Sequence, residues 1–126
     1  MADEAPEGLV GRDREWALLA DAVDRAVRGS GGVVLLAGDP GIGKTRLLAE
    51  TLDRARRRGA ATGIATCVAS GRPYRPWRQL LRAHGGADVF DVERHDDGGR
   101  AELFEAVGDL LDGAAAAGGL VVGIDD

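Results

Sequence analysis

The spacing of apolar residues along the chain predicts helices in four stretches. Apolar positions recur at i, i+3, i+4 and i+7, the spacing of one helix face, over about 13–28, 43–58, 76–84 and 100–117. We expect Asp13 to be the N-cap of the first helix. The residues that this helix is expected to bury are Trp16, Leu19, Ala20, Val23 and Val27. The inward face of the last helix is expected to contain Leu103, Phe104, Val107, Leu110, Leu111 and Ala114.

Three shorter apolar runs between these helices predict strands. Val33–Ala37 and Leu120–Ile124 are continuous rather than alternating, which is typical of strands buried on both faces of a parallel sheet. Thr62–Cys67 is a weaker run. Because helices and strands then alternate along the chain, the pattern predicts an α/β fold with a parallel sheet and flanking helices. Residues 1–8 are polar, show no periodicity and are expected to form a disordered tail.

Composition and charge narrow the class of protein. The chain of 126 residues has a net charge of −5, which argues against a general nucleic-acid-binding surface, because such surfaces are basic. Cys67 is the only cysteine, so we expect neither an intrachain disulfide nor a cysteine-built zinc site. No apolar run reaches the ~20 residues of a membrane span, and the N-terminus lacks the pattern of an export signal. We therefore expect a cytoplasmic protein that does not enter membranes.

A glycine-rich segment between the first strand and the second helix matches a phosphate-binding loop at every position. The pattern G-x-x-x-x-G-K-[ST] is filled by Gly38, Asp39, Pro40, Gly41, Ile42, Gly43, Lys44 and Thr45. Its glycines allow a tight turn whose backbone N–H groups face phosphate oxygens, and the following helix adds its positive dipole end. In this pattern the lysine binds the β and γ phosphates, and the Thr45 hydroxyl binds Mg²⁺. The segment therefore predicts a nucleotide site.

Two acids, Asp125 and Asp126, directly follow the last apolar run. Taken alone, an apolar run before two acids is also what any strand shows where it meets a loop. In proteins with a complete phosphate-binding loop, however, such a strand-end Asp holds Mg²⁺, and a neighbouring acid can position the attacking water. We therefore predict that Asp125 is a metal ligand and that Asp126 is a catalytic residue.

The two motifs, together with the segment Leu9–Glu15, resemble AAA+ and STAND P-loop ATPases. The resemblance is to the ATPase modules of large LuxR-type transcriptional regulators and to origin-recognition-like ATPase domains. The segment Pro73–Trp77 is similar to that group as well. The likeness covers residues 9–126 and implies one domain, a three-layer P-loop NTPase fold. In that fold further strands follow the strand that ends at Asp125, so the domain is expected to be incomplete at its C-terminus.

The resemblance also implies roles for individual residues. Val10 and Arg12 would lie near the adenine, and Gly38–Thr45 would wrap the phosphates of ATP or ADP. Thr45 and Asp125 would bind Mg²⁺, the carboxylate usually through water. Asp126 stands where many AAA+ enzymes have a glutamate and is one methylene shorter. STAND proteins often act as slow nucleotide-gated switches, and a pair of aspartates is compatible with that behaviour.

Two functions of different classes follow, and the sequence leaves both open. The first is an ATP/ADP-binding switch module of a STAND-type regulator, with DNA contacted only through another domain and with self-association through the ATPase domain. The second is an ordinary P-loop enzyme, such as a kinase or a motor-type ATPase, that acts on a substrate. A degenerate nucleotide-binding protein without activity is a third. In the resembled fold, Val33–Ala37 pairs with later strands, so we predict that residues 1–126 alone are poorly folded and hydrolyse no ATP.

Overall fold

The computed structural model describes residues 11–38, 43–67, 74–83 and 97–125. The elements of these residues are α1 (Asp13–Val27), α2 (Lys44–Arg57), β1 (Ala61–Thr66), α3 (Arg75–Ala83), α4 (Asp97–Ala115) and β2 (Leu120–Asp125). All four predicted helices and two of the three predicted strands are therefore confirmed, with ends that differ by a few residues. The predicted tail at residues 1–8 lies outside the described residues.

Glycines with positive φ end both of the first two helices. Gly29 (φ 88°) follows α1 and Gly59 (φ 87°) follows α2, and only glycine adopts this conformation without strain. The start of α1 corrects a prediction, because Arg12 occupies the N-cap position and Asp13 is the first helical residue. An acid in the first turn is still favourable there, since it faces the positive end of the helix dipole.

The two strands form a parallel sheet in which each strand faces helices on both sides. Their register runs from Ala61 opposite Leu120 to Thr66 opposite Asp125. Along β2, Val121 packs against the core between α1 and α2, and a side chain at Gly123 would point at Leu48 of α2. The other helices, α3 and α4, pack against β1 and β2 respectively and against each other. The arrangement indicates three layers, with α1 and α2 on one face and α3 and α4 on the other.

The apolar core lies mainly where α1 meets α2. Four of the five predicted positions of α1 are buried, and the fifth, Val27, is partly buried. One cluster contains Trp16, Leu19, Ala20 and Leu47. A second cluster contains Val23, Ala55 and Ala60. On the other face of the sheet, Leu80 and Leu81 of α3 are each only 1% exposed. These contacts fix α2, and with it the end of the phosphate-binding loop, against α1.

The predicted strand at Val33–Ala37 is the main error of the sequence prediction. Residues 31–38 have no regular secondary structure, and Val33 and Leu35 are 89% and 88% exposed. A cavity of about 230 Å³ lies between this segment and β2, lined in part by Val34 and Val121. A strand exists only with a hydrogen-bonded neighbour, and none of the described strands reaches this segment. The apolar run is therefore strand-like in composition without being part of the sheet.

Two apolar side chains, one on α4 and one on β2, are also less buried than the sequence predicted. Phe104 was expected to face inward, yet it is 56% exposed, and Ile124 of β2 is 42% exposed. The Phe104 ring instead meets Tyr74 edge to face, with 6.3 Å between ring centroids. Tyr74 has a φ of 61°, an uncommon conformation for a residue other than glycine. The two strands of the described residues offer too little surface to cover the whole apolar face of α4.

A partly buried charge network joins α1 to α2. Arg54 Nη2 donates to both oxygens of Asp24, at 3.1 and 3.2 Å, and Arg58 Nε lies 3.5 Å from the same carboxylate. The side chain of Arg54 is only 12% exposed. Removing one partner of such a group leaves a partly desolvated charge with fewer hydrogen bonds, which is costly.

We predict that Arg54→Met destabilises the domain by about 1.5–3 kcal/mol, the range for hydrogen bonds to a charged group. The matched control is Arg57→Met on the same helix, since Arg57 pairs with Asp53 at 3.2 Å with both side chains more than half exposed. Exposed pairs contribute less than about 1 kcal/mol. Chemical denaturation of both variants measures the difference, and equal losses of unfolding free energy would contradict the prediction.

Candidate functional site

The end of the phosphate-binding loop is built into the start of α2. Gly43 is the N-cap residue of this helix, with a φ of 86° that favours glycine. The first backbone hydrogen bond of the helix runs from Leu47 N to Gly43 O at 2.9 Å. The amides before Leu47 therefore have no acceptor within the helix and are turned towards the loop. This geometry suits an anion at the helix N-terminus.

Lys44 and Gly38 lie at opposite ends of the loop and are in contact. The Lys44 ammonium donates a hydrogen bond to the Gly38 carbonyl at 2.5 Å. The contact holds the lysine's positive charge beside Gly38, the first residue of the loop motif. It uses one of the three N–H donors of an ammonium, so the remaining donors are available to an anion.

Thr45 and Asp125 bring the two sequence motifs together. The Thr45 hydroxyl donates to Asp125 Oδ2 at 3.0 Å, although the residues are 80 positions apart in the chain. Asp125 is held at the end of β2, where Cys67 N donates to its carbonyl at 2.7 Å. The Thr45 hydroxyl and the Asp125 carboxylate both offer oxygen ligands, which Mg²⁺ prefers in proteins. The structure therefore brings the loop threonine and the strand-end aspartate into direct contact.

The sequence prediction missed Gly123, which affects the site because it has no side chain. A Cβ atom there would lie 2.5 Å from Leu48 Cδ1 and 3.0 Å from Leu48 Cγ. The absence of a side chain therefore lets the first turn of α2 approach β2 closely enough for Thr45 to reach Asp125. A glycine inside an apolar strand is the signal that could have identified this close approach.

A small cavity extends the site towards α1. It has a volume of about 160 Å³, and its lining includes Arg12, Lys44 and the segment 34–37. Leu18, Leu19 and Leu47 supply apolar walls. Whole small-molecule pockets measure roughly 300–1,000 Å³, so this cavity suits one part of a ligand. The walls are mainly apolar, and their charged members are Arg12, Glu15 and Lys44.

The sequence predicted twelve site residues, and the structure describes half of them. Those that it places around α2 and the end of β2 are Arg12, Gly38, Gly43, Lys44, Thr45 and Asp125. Those that lie outside the described residues are Val10, Asp39, Pro40, Gly41, Ile42 and Asp126. Within the described part of the chain no group of three or more His, Cys, Asp or Glu side chains is arranged to hold a metal. A Mg²⁺ site does not need such a group, since this ion keeps several waters and uses one or two protein oxygens with substrate phosphates.

Comparison with protein families decides the class of this site. Residues 8–126 match the model of the AAA ATPase domain. The chain belongs to the AAA ATPase domain family. The AAA ATPase domain is a nucleotide-binding P-loop module, and its family binds ATP or ADP with Mg²⁺. This agrees with the lysine, threonine and aspartate that the structure brings together.

Individual relatives of this AAA domain add little about its particular role. An uncharacterized protein of Rhizobium meliloti (strain 1021) is 36% identical over 63 residues, which is 50% of this chain and 6% of that protein. The chain therefore spans a small fraction of that relative's length. No solved structure matches the chain. Among the described helices, none has both the length and the apolar composition that crossing a membrane requires.

We predict that Gly123→Ala weakens both the fold and the site. The added methyl group would lie 2.5 Å from Leu48 Cδ1, so the Leu48 side chain or α2 itself must shift, at a cost of about 1–3 kcal/mol. Gly108→Ala in α4 is the control, because nothing lies within 4 Å of its Cβ position and alanine should stabilise the helix by about 0.5–1 kcal/mol. Denaturation and nucleotide titration of both variants measure the effects. Unchanged nucleotide affinity in Gly123→Ala would contradict the role given to this close approach.

Proposed function

We propose that the chain is the ATP/ADP-binding module of a STAND-type signalling or transcriptional regulator of the LuxR type. It acts as a nucleotide-gated switch that hydrolyses ATP slowly. The observation that carries the proposal is the contact of Thr45 with Asp125 beside the loop lysine. One hydrogen bond between two side chains thereby joins the loop that would bind phosphates to the strand that would bind the metal.

The donor set at this contact fits Mg²⁺ bound to a nucleotide. Thr45 Oγ1 and Asp125 Oδ2 lie 3.0 Å apart, so both oxygens belong to one small site. Both are hard oxygen ligands, and Lys44 lies in the adjacent helical position to neutralise phosphate charge. When bound, the ion neutralises charge on the β and γ phosphates. The hydrogen bond between Thr45 and Asp125 keeps the two oxygen ligands close together.

The acid next to Asp125 supports a switch rather than a fast enzyme. Asp126 stands where a glutamate is common in the resembled ATPases, and its side chain, one methylene shorter, would place a water molecule farther from the γ phosphate. Slow hydrolysis lets the bound state persist long enough to act as a signal. The low coverage of the Rhizobium relative, 6% of its length, agrees with a domain of this kind lying within a much longer protein.

We predict that Lys44→Ala weakens binding of Mg-ATP and Mg-ADP by the complete regulator roughly 10- to 150-fold. This corresponds to loss of one charge-assisted hydrogen bond of about 1.5–3 kcal/mol. Arg57→Ala is the matched control, because it removes the same charge from the last turn of the same helix, roughly 20 Å away. Calorimetric titration measures both affinities. Wild-type affinity in Lys44→Ala would remove the assignment of the nucleotide site.

We predict different defects for the two neighbouring aspartates. Asp126→Asn should lower the rate of ATP hydrolysis and leave nucleotide affinity nearly unchanged, because it alters only the group that positions water. Asp125→Asn should instead raise the Mg²⁺ concentration needed for binding. Single-turnover hydrolysis and Mg²⁺ titration separate the two effects. Equal hydrolysis by Asp126→Asn and wild type would place the base elsewhere, and rapid multiple turnover by the wild type would favour an ordinary P-loop enzyme.

A further inference from the structure

The strand β1 has one hydrogen-bonding edge that the other described strand does not cover. Ala61 N donates to Gly119 O at 2.9 Å, so the odd-numbered amides of β1 point towards β2. Successive backbone amides of a strand point to alternate edges. The amides and carbonyls of Thr62, Ile64 and Thr66 therefore point to the opposite edge, where the sheet of the described residues ends.

One of these three outward amides has a side-chain partner. Gln79 of α3 accepts a hydrogen bond from Thr66 N through Oε1, at 3.4 Å. Across the described ranges of the chain, the amides of Thr62 and Ile64 have no partner. The Ile64 side chain is 45% exposed beside them. Unpaired N–H and C=O groups along an edge strand are a template for pairing with another extended chain.

Arginines flank this edge on both faces of the sheet. On the face of α2, Arg56 is exposed, and its Nε donates to a threonine hydroxyl of β1 at 3.0 Å. On the face of α3, Gln79 lines an open depression together with the exposed residues Arg75 and Arg82. Another arginine of this lining, Arg78, is already engaged in an interaction. A chain paired with β1 would therefore meet positive charge on both faces, in a protein whose net charge is −5.

We infer that the outer edge of β1 binds an extended acidic segment of a partner protein, which joins the sheet as a further strand. Successive side chains of a strand point to opposite faces, so apolar residues of the segment lie beside Ile64 and acidic ones face Arg75 and Arg82. Backbone hydrogen bonds to Thr62 and Ile64 give affinity, and the arginines select carboxylates. Twofold pairing with a second copy is unfavourable here, because it brings the same arginines of both copies together.

A fluorescent peptide of alternating glutamate and valine, six residues long like β1, tests the charge requirement on the full chain. Fluorescence anisotropy should give a dissociation constant below about 1 mM. A peptide with lysine in place of glutamate should bind at least ~10-fold more weakly, because its charges oppose those of the arginines. Arg75→Ala/Arg82→Ala should weaken binding of the glutamate peptide roughly 3- to 10-fold, the range for exposed charge pairs. The control Arg14→Ala/Arg25→Ala removes the same charge from α1 and should keep wild-type affinity.

Two N-methylated forms of the glutamate peptide test strand pairing without any change in the protein. One is methylated on its glutamate nitrogens and the other on its valine nitrogens, so each blocks one hydrogen-bonding edge. Only one of them should bind, and it should protect the amides of Thr62 and Ile64 from hydrogen exchange. Equal binding by both forms would show charge attraction without a strand and would overturn the inference. Absence of binding, equal binding of the lysine peptide, or protection of the same amides by a second copy alone would overturn it as well.

Discussion

The close approach of α2 to β2 is the constraint on which the described site depends. The helix begins at the end of the loop motif, and the strand ends at Asp125, so the separation of helix and strand sets the distance between Thr45 and Asp125. Gly123 permits the approach by leaving room for Leu48. Because protein interiors are packed without spare volume, one methyl group at this position is enough to change the geometry of the site. The chemistry of the loop therefore depends on a residue that has no side chain.

Local signals in the sequence predicted most of the helices and strands and part of the candidate site. Apolar periodicity identified α1 and its buried face because that face packs mainly against one neighbour, α2, and against the adjacent end of β2. The loop motif identified Lys44 and Thr45 because their roles require fixed residue types. The contact of Thr45 with Asp125 follows from the motif pair. Gly123 was missed because a glycine inside an apolar strand indicates a close approach without revealing that the neighbour is Leu48. Arg12 was placed near the site only through resemblance.

The errors arise where structure depends on distant parts of the chain. Val33–Ala37 has the composition of a buried strand, yet strand formation is decided by a partner that composition does not reveal. Phe104 follows the apolar period of α4. That period shows only which residues share a helix face, and not whether the whole face is covered. Here part of the face extends beyond the sheet, which leaves Phe104 exposed. The N-cap of α1 was misplaced by one residue, which is the usual uncertainty of helix ends.

The salt-bridged end of α2 has a mechanical consequence for the domain. The helix is held at its start by Thr45 and at its last turns by Arg54 and Arg58, which share Asp24 of α1. A helix of 14 residues is a rigid rod about 20 Å long. Leu47 near the start of α2 and the Asp24 ion pairs near its end both join this helix to α1. A displacement of the first turn, such as one that follows the loss of a phosphate, would therefore be transmitted to α1 rather than absorbed by bending of α2.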